Sequence, residues 1–351
     1  MRPVHQAIAA AAPHDAVTDQ ALRLQALLRG WGHPSEIVAD HVHPALSDRV
    51  QRLDRGGRRT LTGGATVLHY SIWGPVAEAV RDLGTPMALV YHNVTPGDLL
   101  RAANPEVAAL CDEGRARLGE LAGRPRAAIA YSAFSAGDLR AAGIGEAVVL
   151  PPLLDPVVPP DRSAPPEGPP VVLTVGRIAP NKRLEDVLRV VALLQRAHDP
   201  EARLVVVGAA DSFEPYRAAL ADLAAAIGVR GAVFTGRVPT PLRDRHYAQA
   251  GAYLCMSVHE GFCVPLVEAM QRGVPVVARA SGAVPETLGP GGIALEDGDL
   301  ALYAEALWEV TRSGGLRAAL HDGMRARLAE LHPDRVAPAV RRALAPVMEG
   351  A

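Results

Sequence analysis

A proline-rich segment near the middle of the chain limits what the chain can fold into. Nine of the twenty residues at 151–170 are proline. Because proline lacks a backbone N–H and has a fixed φ, neither a helix nor a central strand can run through such a segment. The length of 351 residues also exceeds what one typical core requires. We therefore predict a first domain at 1–155, a linker at 156–170 and a second domain at 171–332.

Short apolar runs separated by helical stretches recur in both halves of the chain. Most are apolar on both faces, which is typical of strands buried in a parallel sheet. This alternation predicts two α/β domains with parallel sheets and a cleft between them. In the second half the runs are residues 171–176, 204–208, 232–236, 252–257 and 274–278, and in the first half 37–39, 66–70, 88–91, 127–131 and 147–150.

Helices are predicted at both ends of the chain. Residues 17–28 have the spacing of an amphipathic helix that stops at Gly30. After Gly314 the sequence favours helix to the C-terminus, with a break at Pro333. We expect the last helix, at 333–351, to pack back on the first domain.

Composition excludes several classes of protein. The formal net charge of −2 gives no global attraction to nucleic acid or anionic lipid. The three cysteines, Cys111, Cys255 and Cys263, are too few and too scattered for a disulfide framework or a metal cluster. No apolar run approaches the roughly 18 residues of a membrane-spanning helix, and the N-terminus does not read as a signal peptide. We expect a soluble, cytoplasmic protein with at most peripheral membrane contact.

The sharpest motif lies at residues 259–270, directly after an apolar run, and reads His-Glu-Gly-Phe-Cys-Val-Pro-Leu-Val-Glu-Ala-Met. Pro265 suits the first turn of a helix, whose free N–H groups and positive end can bind phosphate. Glu260 lies before this helix and Glu268 about one turn inside it, so both carboxylates could accept hydrogen bonds from one ligand. A capped, solvated helix start would explain the pair if it stood alone.

A second motif places two cations on the loop after another predicted strand. Residues 175–182 read Val-Gly-Arg-Ile-Ala-Pro-Asn-Lys. The carboxyl ends of parallel strands share one sheet edge, so Arg177 and Lys182 are expected beside the two glutamates. Two cations there could neutralise a diphosphate leaving group in place of a metal. Each alone would more often be a surface charge.

These motifs together resemble the retaining GT-B glycosyltransferases of family 4, also called group 1. The resemblance covers nearly the whole chain. It implies two Rossmann-like, doubly wound α/β domains that face each other across a cleft. It rests on Gly176 and Arg177 with Lys182, on Gly208, on residues 234–238, on the E-x7-E spacing of the glutamates and on residues 281–286.

The resemblance implies transfer of a hexose-type sugar from a nucleotide-sugar donor to an acceptor hydroxyl. A UDP-sugar is the favoured donor and GDP-mannose the other one considered. The acceptor class stays open among small molecules, glycans and lipid-linked molecules, and so does the oligomeric state. No metal or other cofactor and no nucleic acid partner are expected.

The resemblance also implies roles for individual residues. Arg177 and Lys182 are expected to hold the diphosphate, and Glu268 the ribose of the nucleotide. Glu260 and the amides after it are expected to hold the donor sugar, and the backbone at Arg237 and Val238 to meet the base. The predicted donor-binding set is Gly176, Arg177, Lys182, Gly208, Arg237, Val238, Glu260, Gly261, Phe262, Cys263, Val264 and Glu268, and the predicted catalytic residues are His92, Arg177, Lys182 and Glu260.

In the first domain, residues 90–94 match the strand-end histidine of the family, which makes His92 a candidate for orienting the transferred sugar. A lone histidine after an apolar strand is otherwise usually structural. The family's glycine-rich loop after the first strand is replaced here by the glycine-free residues 9–16. His14 and Asp15 are the candidate acceptor-side residues, since side-chain contacts could replace backbone ones.

Two further features carry no assigned chemistry. The arginines at 52, 55, 58 and 59 are interpreted as a solvated loop, with contact to a membrane or to a phosphorylated acceptor as the alternative. Ser132 or Ser135 is a candidate cap for the helix that follows.

Three functions remain open at this point. In the retaining transferase, Arg177, Lys182 and the helix amides would stabilise charge on the leaving diphosphate while the acceptor enters from the same face. A sugar phosphorylase or a nucleotide-sugar epimerase would share the GT-B fold but use another reaction. A non-catalytic nucleotide-sugar-binding scaffold would keep only the donor pocket.

Overall fold

The computed structural model describes residues 1–296 and 298–349, and the chain divides into two compact units. Unit 1 comprises Met1–Gly97, Ala108–Asp155 and the C-terminal segment from Leu331, and unit 2 comprises Asp98–Val107 and Pro156–Glu330. The segment Asp98–Val107, placed in the first domain by the sequence, therefore groups with unit 2. No helix within the described residues is long and apolar enough to cross a membrane.

Unit 1 is built on one parallel sheet. Its strands are β1 (Val4–Ala11), β2 (Ile37–Val42), β3 (Val50–Arg52), β4 (Ala65–Tyr70), β5 (Met87–Tyr91), β6 (Pro125–Ala130) and β7 (Val148–Val149). Their order is β3-β2-β1-β4-β5-β6-β7, and all neighbours run parallel. The helices of the chain up to Asp155 are α1 (Ala16–Gly30), α2 (Arg55–Thr62), α3 (Pro75–Asp82), α4 (Pro105–Arg117) and α5 (Ala133–Ala141).

Side-chain caps fix where the helices of unit 1 begin. The Asp15 carboxylate accepts a hydrogen bond from the Thr18 N–H at 2.8 Å and begins α1. The Ser132 hydroxyl accepts from the Ser135 N–H at 3.0 Å and begins α5, so the prediction of a serine cap is confirmed. Each cap satisfies a helix N–H that has no partner within the helix, which typically stabilises by about 1 kcal/mol.

Two local predictions in unit 1 are wrong. β1 extends to Ala11, so the loop after the first strand spans 12–15 rather than 9–16. Arg55, Arg58 and Arg59 belong to the helix α2 rather than to a loop. The reason is Asp54, whose carboxylate accepts from the N–H groups of Gly56 and Gly57 at 2.7 and 3.0 Å and starts the helix.

Unit 2 contains the second parallel sheet. Its strands are β8 (Val171–Val175), β9 (Arg203–Val207), β10 (Ala232–Phe234), β11 (Ala252–Cys255), β12 (Val276–Arg279) and β13 (Ile293–Leu295). Their order is β10-β9-β8-β11-β12-β13, again with all neighbours parallel. The helices that follow are α6 (Leu184–Ala197), α7 (Glu214–Ala226), α8 (Thr240–Gln249), α9 (Val264–Gln271), α10 (Val284–Leu288), α11 (Leu300–Arg312) and α12 (Gly314–Glu330).

The last helix, α13 (Pro333–Met348), packs against β4, β5 and β6 of unit 1. Its buried Val340 and Leu344 share a hydrophobic cluster with Val67 and Ile129. Burying an aliphatic side chain of this size stabilises by about 1.5–3 kcal/mol, so α13 is part of the core of unit 1. Every apolar run predicted from the sequence overlaps a strand, and the prediction of doubly wound parallel α/β sheets is confirmed.

Candidate active site

The donor-site residues predicted in unit 2 lie where its strand order reverses. β8 and β11 are neighbours in the sheet but are separated in the chain by β9 and β10. In doubly wound sheets, ligands bind at the carboxyl ends of the strands at such a reversal. Gly176 directly follows β8, and residues 256–263 connect β11 to α9. The topology thus brings the two sequence motifs to one place.

Glycines let three strand-end loops approach one another closely. The Gly208 N–H donates to the Gly236 carbonyl at 3.1 Å, and the Gly176 N–H donates to the Val207 carbonyl at 2.9 Å. Gly208 has φ +155°, and a Cβ there would lie 1.8 Å from the Gly176 carbonyl oxygen. A side chain cannot be accommodated at this distance, so Gly208 is required by the close backbone contact.

The loop at 256–263 is held by hydrogen bonds to both neighbouring loops. The Val258 N–H donates to the Asn181 carbonyl at 2.9 Å, and the Ser281 hydroxyl donates to the Val258 carbonyl at 2.6 Å. The Ala283 N–H donates to the Glu260 carbonyl at 3.0 Å. The motif at 281–286, to which the sequence assigned no role, therefore positions the loop that carries Glu260.

Lys182 and Glu260 form an ion pair at the pocket after β8 and β11. The Lys182 Nζ atom lies 2.5 Å from Glu260 Oε1, and the two side chains are 23% and 9% exposed. Burial opposes the charged ammonium, but the Glu260 carboxylate outweighs that effect and raises the pKa of Lys182 above its usual value. Lys182 is therefore a cation held in place inside the pocket.

Arg177 is the more accessible of the two predicted cations. Its side chain is exposed, and its guanidinium lies 5.5 Å from the centroid of the Phe213 ring. Within the described part of the chain, no hydrogen bond or ion pair engages the guanidinium. Both Arg177 and Lys182 line the same pocket, together with Gly176 and Glu260.

Glu268 has a set of partners different from that of Glu260. The Tyr247 hydroxyl donates to Glu268 Oε2 at 2.9 Å, and Arg243 Nη1 lies 3.2 Å from Oε1. Burial, reinforced by the Glu268 charge, raises the pKa of Tyr247 and keeps its hydroxyl a donor. Tyr247 and Arg243 were not predicted from the sequence, because no motif there links α8 to α9. They fix the orientation of the carboxylate.

Two of the three cysteines, which the sequence indicated were too few and too scattered for a disulfide framework or a metal cluster, adjoin Glu260. The ligand atoms of Cys255, Glu260 and Cys263 all lie within 4.8 Å of one another, and all three residues are buried. A hydrogen bond between the two thiols lowers the pKa of Cys255 and raises that of Cys263. The sheet end brings Cys255 to the start of α9, which spacing in the sequence does not reveal.

The other residues predicted in unit 2 lie on the loops around this pocket. Gly261 and Phe262 precede α9, Cys263 has φ 70° at its N-cap, and Val264 begins the helix. The first N–H groups of a helix lack partners within it, so this end of α9 offers donors to an anion. Arg237 and Val238 follow β10, where exposed Arg237 forms an ion pair with Asp211.

His92 of unit 1 belongs to a chain of three polar side chains. Its Nε2 atom lies 3.0 Å from His69 Nδ1, and His69 Nε2 lies 2.9 Å from Gln6 Oε1. Burial lowers the pKa of His69 to about 3. Burial and the neighbouring His69 also place the pKa of His92 well below its usual value. Both imidazoles are therefore neutral at physiological pH.

The two contacts fix the tautomers of both histidines. Since Gln6 Oε1 can only accept, His69 carries its proton on Nε2 and accepts at Nδ1. His92 must then donate from Nε2, which leaves its Nδ1 atom as a hydrogen-bond acceptor. The sequence predicted His92 but gave no sign of Gln6 and His69, which lie on β1 and β4.

The two candidate acceptor-side residues lie at the end of β1. Asp15 caps α1, and the Thr18 hydroxyl also donates to its Oδ2 atom at 2.8 Å. His14 is exposed and has φ 62°, a left-handed conformation that is uncommon outside glycine. The structure thus gives Asp15 a capping contact and leaves the His14 ring at the surface.

Comparison with known proteins agrees with this geometry. Residues 160–327 match the family model described as glycosyl transferases group 1. A GDP-mannose-dependent alpha-mannosyltransferase of Mycobacterium tuberculosis (strain CDC 1551 / Oshkosh) is 27% identical over 312 residues, which are 78% of each chain. Several other curated relatives align over only about a third of their own length.

Two solved structures show the same fold. Sucrose-phosphate synthase from Thermosynechococcus elongatus aligns with a TM-score of 0.77 and 17% identity over 100% of both chains. Anabaena Alr3699/HepE in complex with UDP-glucose aligns with a TM-score of 0.74 and 15% identity over 98% of this chain and 100% of that one.

The two parallel α/β units define a protein of the GT-B fold. With the match of residues 160–327 to the family model, this chain carries a glycosyl transferases group 1 domain in unit 2. It is an enzyme of the transferase class.

Proposed function

We propose that this enzyme transfers a hexose from a nucleoside diphosphate sugar to an acceptor hydroxyl, with retention of the anomeric configuration. The observation that carries the proposal is the pocket after β8 and β11. It combines an exposed guanidinium at Arg177, the paired ammonium of Lys182 and the carboxylate of Glu260. Cations suit a diphosphate and a carboxylate suits sugar hydroxyls, so one pocket offers partners for both halves of the donor.

The roles within the pocket follow from accessibility and charge. Arg177 meets the diphosphate first, because its guanidinium has no competing ion pair among the described residues. Lys182 adds its charge as the bonds to the leaving diphosphate lengthen, and the N-terminal amides of α9 add partial positive charge. Glu268, oriented by Tyr247 and Arg243, accepts from the ribose hydroxyls.

In the proposed mechanism the anomeric bond breaks while charge accumulates on the diphosphate. The acceptor oxygen then bonds to the anomeric carbon on the face that the diphosphate leaves, and a phosphate oxygen takes the acceptor proton. Arg177 and Lys182 lower the barrier because they stabilise this charge more in the transition state than in the ground state. His92, whose Nδ1 atom is a hydrogen-bond acceptor, is proposed to orient the transferred sugar.

The comparisons support two donor classes. The Mycobacterium tuberculosis relative is named as GDP-mannose-dependent. The Anabaena structure, alike in fold alone, contains UDP-glucose. Both GDP-mannose and UDP-glucose are nucleoside diphosphate hexoses. The binding experiment therefore tests GDP-sugars and UDP-sugars separately.

Binding of nucleotide sugars tests the proposal directly. Calorimetry with UDP-, GDP-, ADP- and dTDP-sugars should give one-site binding for one nucleotide in the wild type. The Glu268→Ala variant should lose that binding. Product analysis with the bound donor should then show sugar on an added acceptor. Transfer to phosphate or epimerised donor would instead indicate a phosphorylase or an epimerase, and absence of binding by every donor would refute the proposal.

A further inference from the structure

Cys255, Glu260 and Cys263 present three metal-ligand atoms at one point of unit 2. Cys255 ends β11, Cys263 is the N-cap of α9, and Glu260 lies on the loop between them. Their sulfur and oxygen ligand atoms all lie within 4.8 Å of one another. The residues are 4%, 8% and 8% exposed, so the group is shielded from bulk solvent.

This spacing suits a tetrahedral cation. With metal–sulfur bonds of about 2.3 Å and metal–oxygen bonds of about 2.0–2.2 Å, two sulfurs of a tetrahedral site lie about 3.8 Å apart, and a sulfur and an oxygen about 3.5 Å apart. Two thiolates with one carboxylate are a donor set for borderline and soft divalent ions such as Zn²⁺ and Cd²⁺. Mg²⁺ and Ca²⁺ require oxygen ligands, so these sulfurs select against them.

Exchange of the thiol protons for a divalent cation conserves the net charge of the cluster. Without a metal, the Glu260 carboxylate is balanced by Lys182 at 2.5 Å. When a divalent cation binds, both thiols release their protons, each sulfur bonds to the metal, and two positive charges replace two protons. The net charge of the cluster is unchanged, so a buried site gains no uncompensated charge.

The sulfurs also have a route to solvent. Cys255 and Cys263 line the pocket that contains Arg177, Lys182 and Glu260. The Cys255 thiol donates a hydrogen bond to the Ser257 hydroxyl at 3.5 Å, and Ser257 lines the same pocket. A cation that enters the pocket can therefore reach all three ligand atoms.

We propose that Cys255, Glu260 and Cys263 bind one thiophilic divalent cation, Zn²⁺ or Cd²⁺, and that this cation blocks the donor site. The blocking rests on the proposed function, because the metal takes the Glu260 carboxylate that would otherwise meet the donor sugar. The cation site itself depends only on the three ligand atoms.

Cd²⁺ titration of the full chain, without nucleotide, tests the site. The ultraviolet thiolate-to-Cd²⁺ charge-transfer band should saturate at one equivalent in the wild type. The Cys255→Ser and Cys263→Ser variants should lose most of the band and bind at least tenfold more weakly. Cys111→Ser is the matched control, since it removes the remaining cysteine, buried on α4, and should titrate like the wild type.

Identical titrations of the wild type and both site variants would overturn the cation site. Circular dichroism of each variant establishes that it is folded, and Cys263→Ser serves alone if Cys255→Ser does not fold. No kinetic or nucleotide measurement enters this comparison, so its outcome is independent of the transferase proposal.

Competition with the donor tests the blocking. Zn²⁺ should raise the apparent Kd of the donor nucleotide sugar at least tenfold in the wild type, and should leave the Kd of Cys255→Ser at its own Zn²⁺-free value. If the charge-transfer band is intact but Zn²⁺ leaves the donor Kd of the wild type unchanged, the cation binds without blocking the donor site. That result would refute the blocking and leave the cation site supported. Absence of donor binding without Zn²⁺ would refute the proposed function instead.

Discussion

The Lys182 Nζ atom lies 2.5 Å from Glu260 Oε1, although the residues are 78 positions apart in the sequence. The sequence motifs predict both residues for the donor site but do not pair them with each other. In the folded chain their ion pair fixes the positions of both side chains inside the pocket. In the proposed function, a diphosphate that enters shares the Lys182 ammonium with Glu260, and the ion pair positions that cation before the substrate binds.

Removal of Lys182 should therefore affect both stability and binding. In Lys182→Ala the Glu260 carboxylate stays buried without its cation, and we expect a loss of about 3 kcal/mol in the free energy of unfolding. Donor binding should also be lost. Urea unfolding measures the first effect. Arg217→Ala, which breaks the exposed pair with Glu214, is the control and should cost less than about 1 kcal/mol. Equal costs for the two variants would contradict a structural role of the buried pair.

Tyr247 is expected to act on the donor through Glu268. Tyr247→Phe removes the hydroxyl that donates to Glu268 at 2.9 Å. One hydrogen bond to a charged group is worth about 1.5 kcal/mol, so the donor Kd should rise about tenfold. Tyr216→Phe is a matched control, because it removes a hydroxyl that donates to Glu185 between α7 and α6. Calorimetry should show an unchanged donor Kd for Tyr216→Phe, and an unchanged Kd for Tyr247→Phe would argue against orientation of Glu268 by Tyr247.

Gly208→Ala should disrupt the close backbone contact at the pocket. The new Cβ would lie 1.8 Å from the Gly176 carbonyl oxygen, so the loop after β8 must move and donor binding should be lost. Gly228→Ala is the control, because it introduces backbone strain without a steric clash. Gly228 also has a positive φ, of 74°, but has no atom within 4 Å of the added Cβ. We expect Gly228→Ala to cost about 1–2 kcal/mol in unfolding and to keep donor binding. Donor binding by Gly208→Ala at wild-type affinity would contradict the requirement for glycine.

The buried histidines should make stability depend on pH. Burial lowers the pKa of His69 from 6.5 to about 3, so between these values the unfolded chain binds a proton that the folded chain does not. Neutral His69 therefore contributes fully to the free energy of unfolding above pH 6.5. This contribution declines as the pH falls toward 3, by about 1.4 kcal/mol for each pH unit. Urea midpoints across this range should fall less steeply in His69→Gln than in the wild type. The exposed His41 provides the control variant, His41→Gln, which should follow the wild type, and equal slopes for all three proteins would contradict the assignment.

Much of the fold follows from local patterns in the sequence. Runs such as 171–176 and 88–91 are short, apolar on both faces and bounded by turn residues, a pattern that favours strands buried in a parallel sheet. Strand β3, at Val50–Arg52, does not give this signal, because glutamine and arginine occupy two of its three positions. Helix α2 was missed because its formation depends on the Asp54 cap, while two glycines lie in its first turn and arginines occupy most of its exposed positions.

The sequence by itself determined the class of the enzyme and predicted the residue types of the proposed donor site, because the spacing of glycine, cation and carboxylate relative to strand ends is a local property of the chain. Only the tertiary structure decided which of these residues touch. The reversal of strand order at β8 and β11 brings Lys182 to Glu260. In unit 1, the pairing of β1, β4 and β5 brings Gln6, His69 and His92 into one chain of contacts. These contacts depend on how strands far apart in the chain pair within a sheet, and spacing along the sequence does not specify that pairing.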